Sequence, residues 1–115
     1  MSQSFQIDYL EFPSSNGRRS RDFFEEAFGW RFTEYGPHYN AIDDAGIAAG
    51  IQSDPAEATT APLAIVRTDD LEKAEQRVVA AGGTVTQPAF DFPGGRRFHF
   101  REPGGNELAV WIAKE

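Results

Sequence analysis

Apolar and polar side chains alternate along the first dozen residues. In Phe5-Gln6-Ile7-Asp8-Tyr9-Leu10-Glu11-Phe12, Ile7, Tyr9 and Glu11 fall on one face and Asp8, Leu10 and Phe12 on the other. That period of two predicts a strand, ended by Pro13. Ser14-Ser15-Asn16-Gly17 then offers turn and N-cap chemistry, and Phe23, Phe24, Ala27 and Phe28 recur at helical spacing as far as Gly29. Strands are predicted over Trp30 to Tyr35, Tyr39 to Asp43 and Ile47 to Gln52, with Gly36-Pro37 as a turn. From Ser53 to Pro62 the chain is rich in Ala, Thr and Pro and has no period, the profile of a linker.

The pattern then starts again. Leu63 to Arg67 reads as a strand, and Asp69 with Glu72 as a capping box. Leu71, Ala74, Val78 and Ala81 form the apolar stripe of a helix that stops at Gly82-Gly83. Three strands follow, over Thr84 to Gln87, Arg97 to Arg101 and Glu107 to Ile112. The helix-stop glycines Gly29 and Gly82 lie 53 residues apart, as do the predicted caps Asn16 and Asp69. Each half reads strand, helix, strand, strand, strand. One repeat of this length means two copies of a supersecondary unit rather than a solenoid. The expected organisation is a single domain over 1–115, with modules at about 5–53 and 62–113 joined by the 53–62 linker.

Composition narrows the chemistry. The 115 residues contain no cysteine, which removes disulfides, thiolate metal sites and thiol nucleophiles. Eleven basic residues against 18 acidic ones leave a net charge of −7, the wrong sign for a nucleic-acid partner. Ten Phe within a 40% hydrophobic chain describe an ordered, aromatic-rich core. No apolar run reaches the ~20 residues of a membrane span, and Met1 to Leu10 has neither a basic segment nor an apolar signal core. The expectation is a cytoplasmic protein with no membrane partner. There is no Gly-x-Ser-x-Gly, no His-Glu-x-x-His and no phosphate loop ending in Gly-Lys-Ser or Gly-Lys-Thr.

The paired βαβββ order, the segment Asp22-Phe-Phe-Glu-Glu-Ala-Phe-Gly-Trp30 and the turn Glu102-Pro-Gly-Gly-Asn106 together resemble the vicinal oxygen chelate superfamily. That superfamily includes glyoxalase I, bleomycin-resistance proteins and extradiol dioxygenases. The resemblance implies an α+β fold whose two βαβββ modules form a cupped, incomplete mixed barrel around a divalent metal. It also implies a homodimer. The ligand positions it implies fall on Tyr9, on Pro62 or Leu63, on Ala109, and around Ile51 or Gln52. Of these only Gln52 is an ordinary metal donor.

If Ala109 faces the cup, the strand period puts Glu107 and Trp111 beside it, Tyr9 with Glu11, and His99 with Arg97 and Arg101. The candidate ligand-binding residues are therefore Tyr9, Glu11, Tyr39, His99, Glu107 and Trp111. His99 and Glu107 are the candidate catalytic groups, since an imidazole titrates near neutrality and needs a partner to orient it. No cofactor is predicted. A divalent metal enters only if His99, Glu107 and Glu11 form a substitute site. Tyr9, Tyr39 and Trp111 are suited to stacking on a planar or partly apolar molecule. His38 reads as a surface residue, and Arg18, Arg19 and Arg21 as a solvated face or a contact with an acidic partner.

The leading expectation is a metal-independent protein that binds a small organic molecule in the cup between its two modules. One alternative is a metal-dependent lyase, isomerase or dioxygenase, in which the metal would act as Lewis acid. The other is a non-catalytic interaction module.

Overall fold

A computed structural model describes residues 5–115. The chain divides into two compact units, one of the described residues up to Asp8 with Ala64–Glu115, the other Tyr9–Leu63. Strand β1 (Gln6–Pro13) starts in the former and ends in the latter.

In the Tyr9–Leu63 unit, β1 leads into helix α1 (Gly17–Phe28) and then into β2 (Phe32–Glu34), β3 (Tyr39–Ile42) and β4 (Ala48–Gln52). The strands lie in the order β2-β3-β4-β1, with β1 parallel to β4 and the other pairs antiparallel. Asn16 caps the helix, its side chain accepting from the Arg19 N–H at 3.1 Å. Gly29 ends it in the left-handed conformation at φ 74°, which a β-carbon would strain. The helix covers Ile42, Ala49 and Ile51, against which Leu10, Phe12, Phe24 and Trp30 pack. Of the apolar stripe expected on α1, Phe24 is half-buried, whereas Phe23 and Phe28 are 62% and 60% exposed.

The second copy runs through β5 (Leu63–Arg67), helix α2 (Leu71–Ala80), β6 (Thr84–Phe92), β7 (Gly95–Arg101) and β8 (Glu107–Ala113). Its order is β5-β8-β7-β6, again with one parallel pair, β5 with β8. Leu71, Ala74, Phe98 and Val110 form its buried cluster. Two expectations need correction. The helix is capped by Asp70, which accepts from the Lys73 N–H at 3.1 Å, and not by Asp69. The Thr68 hydroxyl accepts from the Asp70 N–H at 3.2 Å and so selects the second of the two aspartates. Strand β6 also continues well past Gln87. Its register shifts between Gln87 and Phe90, around Pro88, and an edge strand tolerates a residue with no N–H to donate.

Each unit is thus a four-stranded mixed sheet with one helix against it, the α+β, paired βαβββ class predicted above. Among the described residues no helix is long and apolar enough to cross a membrane.

Candidate functional site

The β1–β4 register sets the chemistry of the Tyr9–Leu63 unit. Phe12 lies opposite Ile51, and both belong to the cluster under α1. By alternation the other face carries Tyr9, Glu11 and Gly50. Tyr39, on β3, joins them. The hydroxyls of Tyr9 and Tyr39 are 2.5 Å apart, and the Tyr39 hydroxyl donates to Glu11 Oε2 at 3.1 Å. A phenol has a single proton, so with Tyr39 donating to the carboxylate, its oxygen accepts from Tyr9. Burial above all, then the negative charge of Glu11 and the neighbouring Tyr9, pushes the Tyr39 phenol far above its ordinary ionisation range. Tyr39 therefore acts as a neutral donor.

Gly50 makes this arrangement fit. A β-carbon there would overlap the Tyr39 hydroxyl and lie 2.5 Å from both Tyr39 Cζ and the Tyr9 hydroxyl. A glycine in mid-strand marks a close approach of this kind.

In the other unit, Phe98 and Val110 turn toward α2, which leaves Arg97, His99, Glu107 and Trp111 on the opposite face, as alternation predicts. His99 is 1% exposed. Its Nδ1 lies 3.3 Å from Glu107 Oε2, which also accepts from the Thr86 hydroxyl at 3.0 Å. Aromatic rings and guanidinium groups are then interleaved along the face. The Phe90 ring lies 5.8 Å from His99, and Arg97 lies 5.4 and 5.5 Å from the Phe90 and Phe92 ring centroids. Phe92 neighbours Trp111 at 6.2 Å, and Arg67 sits 4.9 Å over the Trp111 ring. The Trp111 indole N–H donates to Asp8 Oδ1 at 2.9 Å, and Arg67 lies 3.9 Å from the same carboxylate.

The six candidate residues therefore form two clusters, Tyr9, Glu11 and Tyr39 in one unit and His99, Glu107 and Trp111 in the other. Tyr39 enters through its hydroxyl, where stacking was expected. Gly50, Asp8, Thr86, Phe90 and Phe92 complete the clusters and were not among the candidates. Only Gly50 carried a signal in the sequence, as a glycine inside a strand. His38 is exposed, as expected, and its carbonyl accepts from the Ser53 N–H and hydroxyl at 2.8 and 3.0 Å.

A divalent metal does not fit the residues at the implied positions. Leu63, Ala109 and Ile51 are each 0% exposed and have no donor atom. Gln52 Oε1 accepts from the Asp54 N–H at 3.0 Å, inside its own turn. Tyr9 offers a single phenol oxygen, already hydrogen-bonded to Tyr39. Among the described residues no group of three or more His, Asp or Glu side chains is placed to hold a metal ion.

Two βαβββ copies define the architecture of the glyoxalase and dioxygenase class. The chain belongs to the Glyoxalase/Bleomycin resistance protein/Dioxygenase superfamily, whose family model matches residues 6–110. A hypothetical protein from Bacillus halodurans C-125 has a similar structure, with a TM-score of 0.76 at 10% identity over 97% of this chain and 96% of that one. Methylmalonyl-CoA epimerase from Mycobacterium tuberculosis matches with a TM-score of 0.71 at 13% identity over 94% and 87%. The Mn(II)-bound glyoxalase from Novosphingobium aromaticivorans matches with a TM-score of 0.67 at 16% identity, over 93% of this chain and 38% of that one. At these identities the likeness is one of fold. A search of curated proteins found no match.

Proposed function

We propose that this chain binds a small organic molecule and does so without a resident metal ion. The observation that carries the reading is the hydroxyl pair of Tyr9 and Tyr39 seated over Gly50, with no donor at Leu63 or Ala109. A strand face that supplies phenols in place of ligands recognises a molecule by hydrogen bonds and ring contacts. The run of Arg67, Trp111, Phe92, Arg97 and Phe90, with rings and guanidinium groups interleaved, supports a planar ligand, and the half-exposed Arg67 supports an acidic group on it, since guanidinium groups pair with carboxylates.

The test is a thermal-shift and calorimetric screen of EDTA-treated protein against benzoate, 1-naphthoate and salicylate, with cyclohexanecarboxylate as the non-planar control. The reading expects the planar acids to raise Tm, EDTA to leave it unchanged, and Trp111→Leu to weaken binding. It is overturned if Mn, Ni or Zn raises Tm and no acid does so without metal, which would favour the metal-dependent enzyme. If neither metal nor acid shifts Tm, the interaction-module reading takes its place.

One observation favours a second reading, a lyase or isomerase of the same superfamily. A carboxylate at His99 Nδ1 fixes the tautomer of the imidazole, as an acid–base residue requires. Under that reading His99→Gln abolishes turnover. Under the first reading it changes ligand affinity alone.

A further inference from the structure

On the proposed reading that this chain binds a planar acid, we infer that Asp8 determines which acids it takes: those with a hydrogen-bond donor beside the carboxylate, and not those with a second anion there. Asp8 is held by one oxygen only. The Trp111 indole N–H donates to Oδ1 at 2.9 Å, which fixes the carboxylate in place. Arg67 lies 3.9 Å from the other oxygen, Oδ2, too far for a hydrogen bond. Among the described residues, that loose ion pair and the seat over the Trp111 ring at 4.9 Å are the side-chain interactions of the Arg67 guanidinium.

The Arg67 and Asp8 side chains are 53% and 32% exposed, so a ligand reaches both. An ion pair this long between partly exposed groups holds weakly. A ligand carboxylate that meets the guanidinium side-on makes two parallel charge-assisted bonds, a stronger contact, and draws Arg67 from Asp8. Asp8 does not follow, because the indole holds it. Its Oδ2 then faces the ligand as a fixed, negatively charged acceptor next to the bound carboxylate. The rings of Trp111 and Phe92, 6.2 Å apart, supply the apolar side of the same place.

What stands beside the ligand's own carboxylate therefore decides the fit. The amine of 2-aminobenzoate has two protons, one for its own carboxylate and one for Asp8 Oδ2. In 4-aminobenzoate the same amine lies across the ring and cannot reach that oxygen while the carboxylate is on Arg67. Benzoate brings no donor and leaves Oδ2 beside an anion. Phthalate sets a second carboxylate against Asp8, and this like-charge contact is the repulsive element on which discrimination between similar ligands depends. The expected order of affinity is 2-aminobenzoate, then 4-aminobenzoate and benzoate together, then phthalate.

Calorimetric titration of the full chain with these four acids tests this. The original chain should hold 2-aminobenzoate about tenfold more tightly than 4-aminobenzoate or benzoate, and phthalate about tenfold more weakly than benzoate. Asp8→Asn keeps an amide oxygen for the Trp111 N–H but removes the charge and turns an N–H toward the ligand. In that variant phthalate should gain about tenfold, and the preference for 2-aminobenzoate over 4-aminobenzoate should vanish. Asp8→Ala should lose the ranking in the same way, and circular dichroism should show both variants folded. Arg67→Gln should weaken all four acids about tenfold or more and leave their order unchanged. Binding of benzoate with all four acids ranked alike on the original chain overturns the inference and leaves the binding reading standing. So does a ranking that both Asp8 variants preserve, because another group would then set it. If none of the four binds, both fall.

Discussion

Helix α2 carries Asp70 at its N-cap, Glu72 in the first turn and Arg77 in the last, each with the sign its end of the dipole favours. Helix α1, the other copy of the same unit, starts from a neutral Asn16 followed by arginines and leaves two Phe rings in solvent. The strand faces differ as sharply. One carries two phenols on a carboxylate over a glycine, the other guanidinium groups interleaved with rings. The backbone plan fixes the helix-side cores, Ile42, Ala49 and Ile51 in one unit and Leu71, Ala74, Phe98 and Val110 in the other. The strand faces turned away from those cores differ, so the copies share a fold and carry different side chains on it.

The largest effects should come where the copies agree. Phe98 is 0% exposed beneath α2, and Phe98→Ala should cost about 3–5 kcal/mol in urea unfolding, the usual range for emptying an aromatic site. Ile51→Ala, at an equally buried position beneath α1, should cost about 2–5 kcal/mol. A cost below about 1 kcal/mol at either position would mean that its helix does not hold a packed core.

The next effect separates the two strand faces. Gly50→Ala forces a methyl into the Tyr9–Tyr39 hydroxyl pair, and overpacking of this kind costs about 1–3 kcal/mol. Adding Tyr39→Leu should recover part of the loss, because it removes both the ring carbon and the hydroxyl that the methyl meets. Tyr39→Phe should recover less, since Cζ stays in place. Equal recovery by the two would show that the hydroxyl alone is the obstacle.

Smaller again is the contrast between the caps. Asp70→Ala should destabilise by about 1 kcal/mol through the lost bond to the Lys73 N–H. Asn16→Asp should stabilise by about 0.3–1 kcal/mol, since it keeps a cap acceptor for the Arg19 N–H and adds the charge that the first turn of α1 lacks. Denaturant midpoints read both. If Asn16→Asp is neutral, the arginines at the start of α1 do not strain the helix.

Most of the fold was legible because each strand and helix repeats its own period and because Gly29 and Gly82 end both helices. The cap slipped by one residue because Asp69 and Asp70 are equally good caps, and a contact from Thr68 decides between them. Strand β6 was cut short because Pro88 reads as a stop, which holds for a central strand but not for an edge. Part of each cluster was visible as strand faces, Tyr9 with Glu11 and Glu107 with Trp111. The rest, Tyr39 on Glu11 and Trp111 on Asp8, joins residues 28 and 103 apart in sequence, and no local pattern encodes such distances. Gly50 did hold the information, since an unexplained glycine in a strand asks what needs the space.

The smallest expected effect lies in the Glu102-Pro-Gly-Gly-Asn106 turn, which helped to carry the family resemblance. The exposed carboxylate of Glu102 accepts from the Gly104 N–H at 2.7 Å and from the Asn106 N–H and side-chain amide at 3.1 and 2.6 Å. The Gly104 N–H first, then the two Asn106 donors, hold its pKa below the ordinary value. A carboxyl whose pKa is lower in the folded chain adds stability above its unfolded pKa and loses it as pH falls through the folded one. Between about pH 7 and pH 3, therefore, the unfolding midpoint of the original chain should fall slightly more than that of Glu102→Gln, whose amide does not titrate. The variant should be the less stable of the two at neutral pH, and the difference should close in acid. If the two chains are equally stable at neutral pH, the turn is held by its glycines, with Gly105 at φ 102°, and not by the charge.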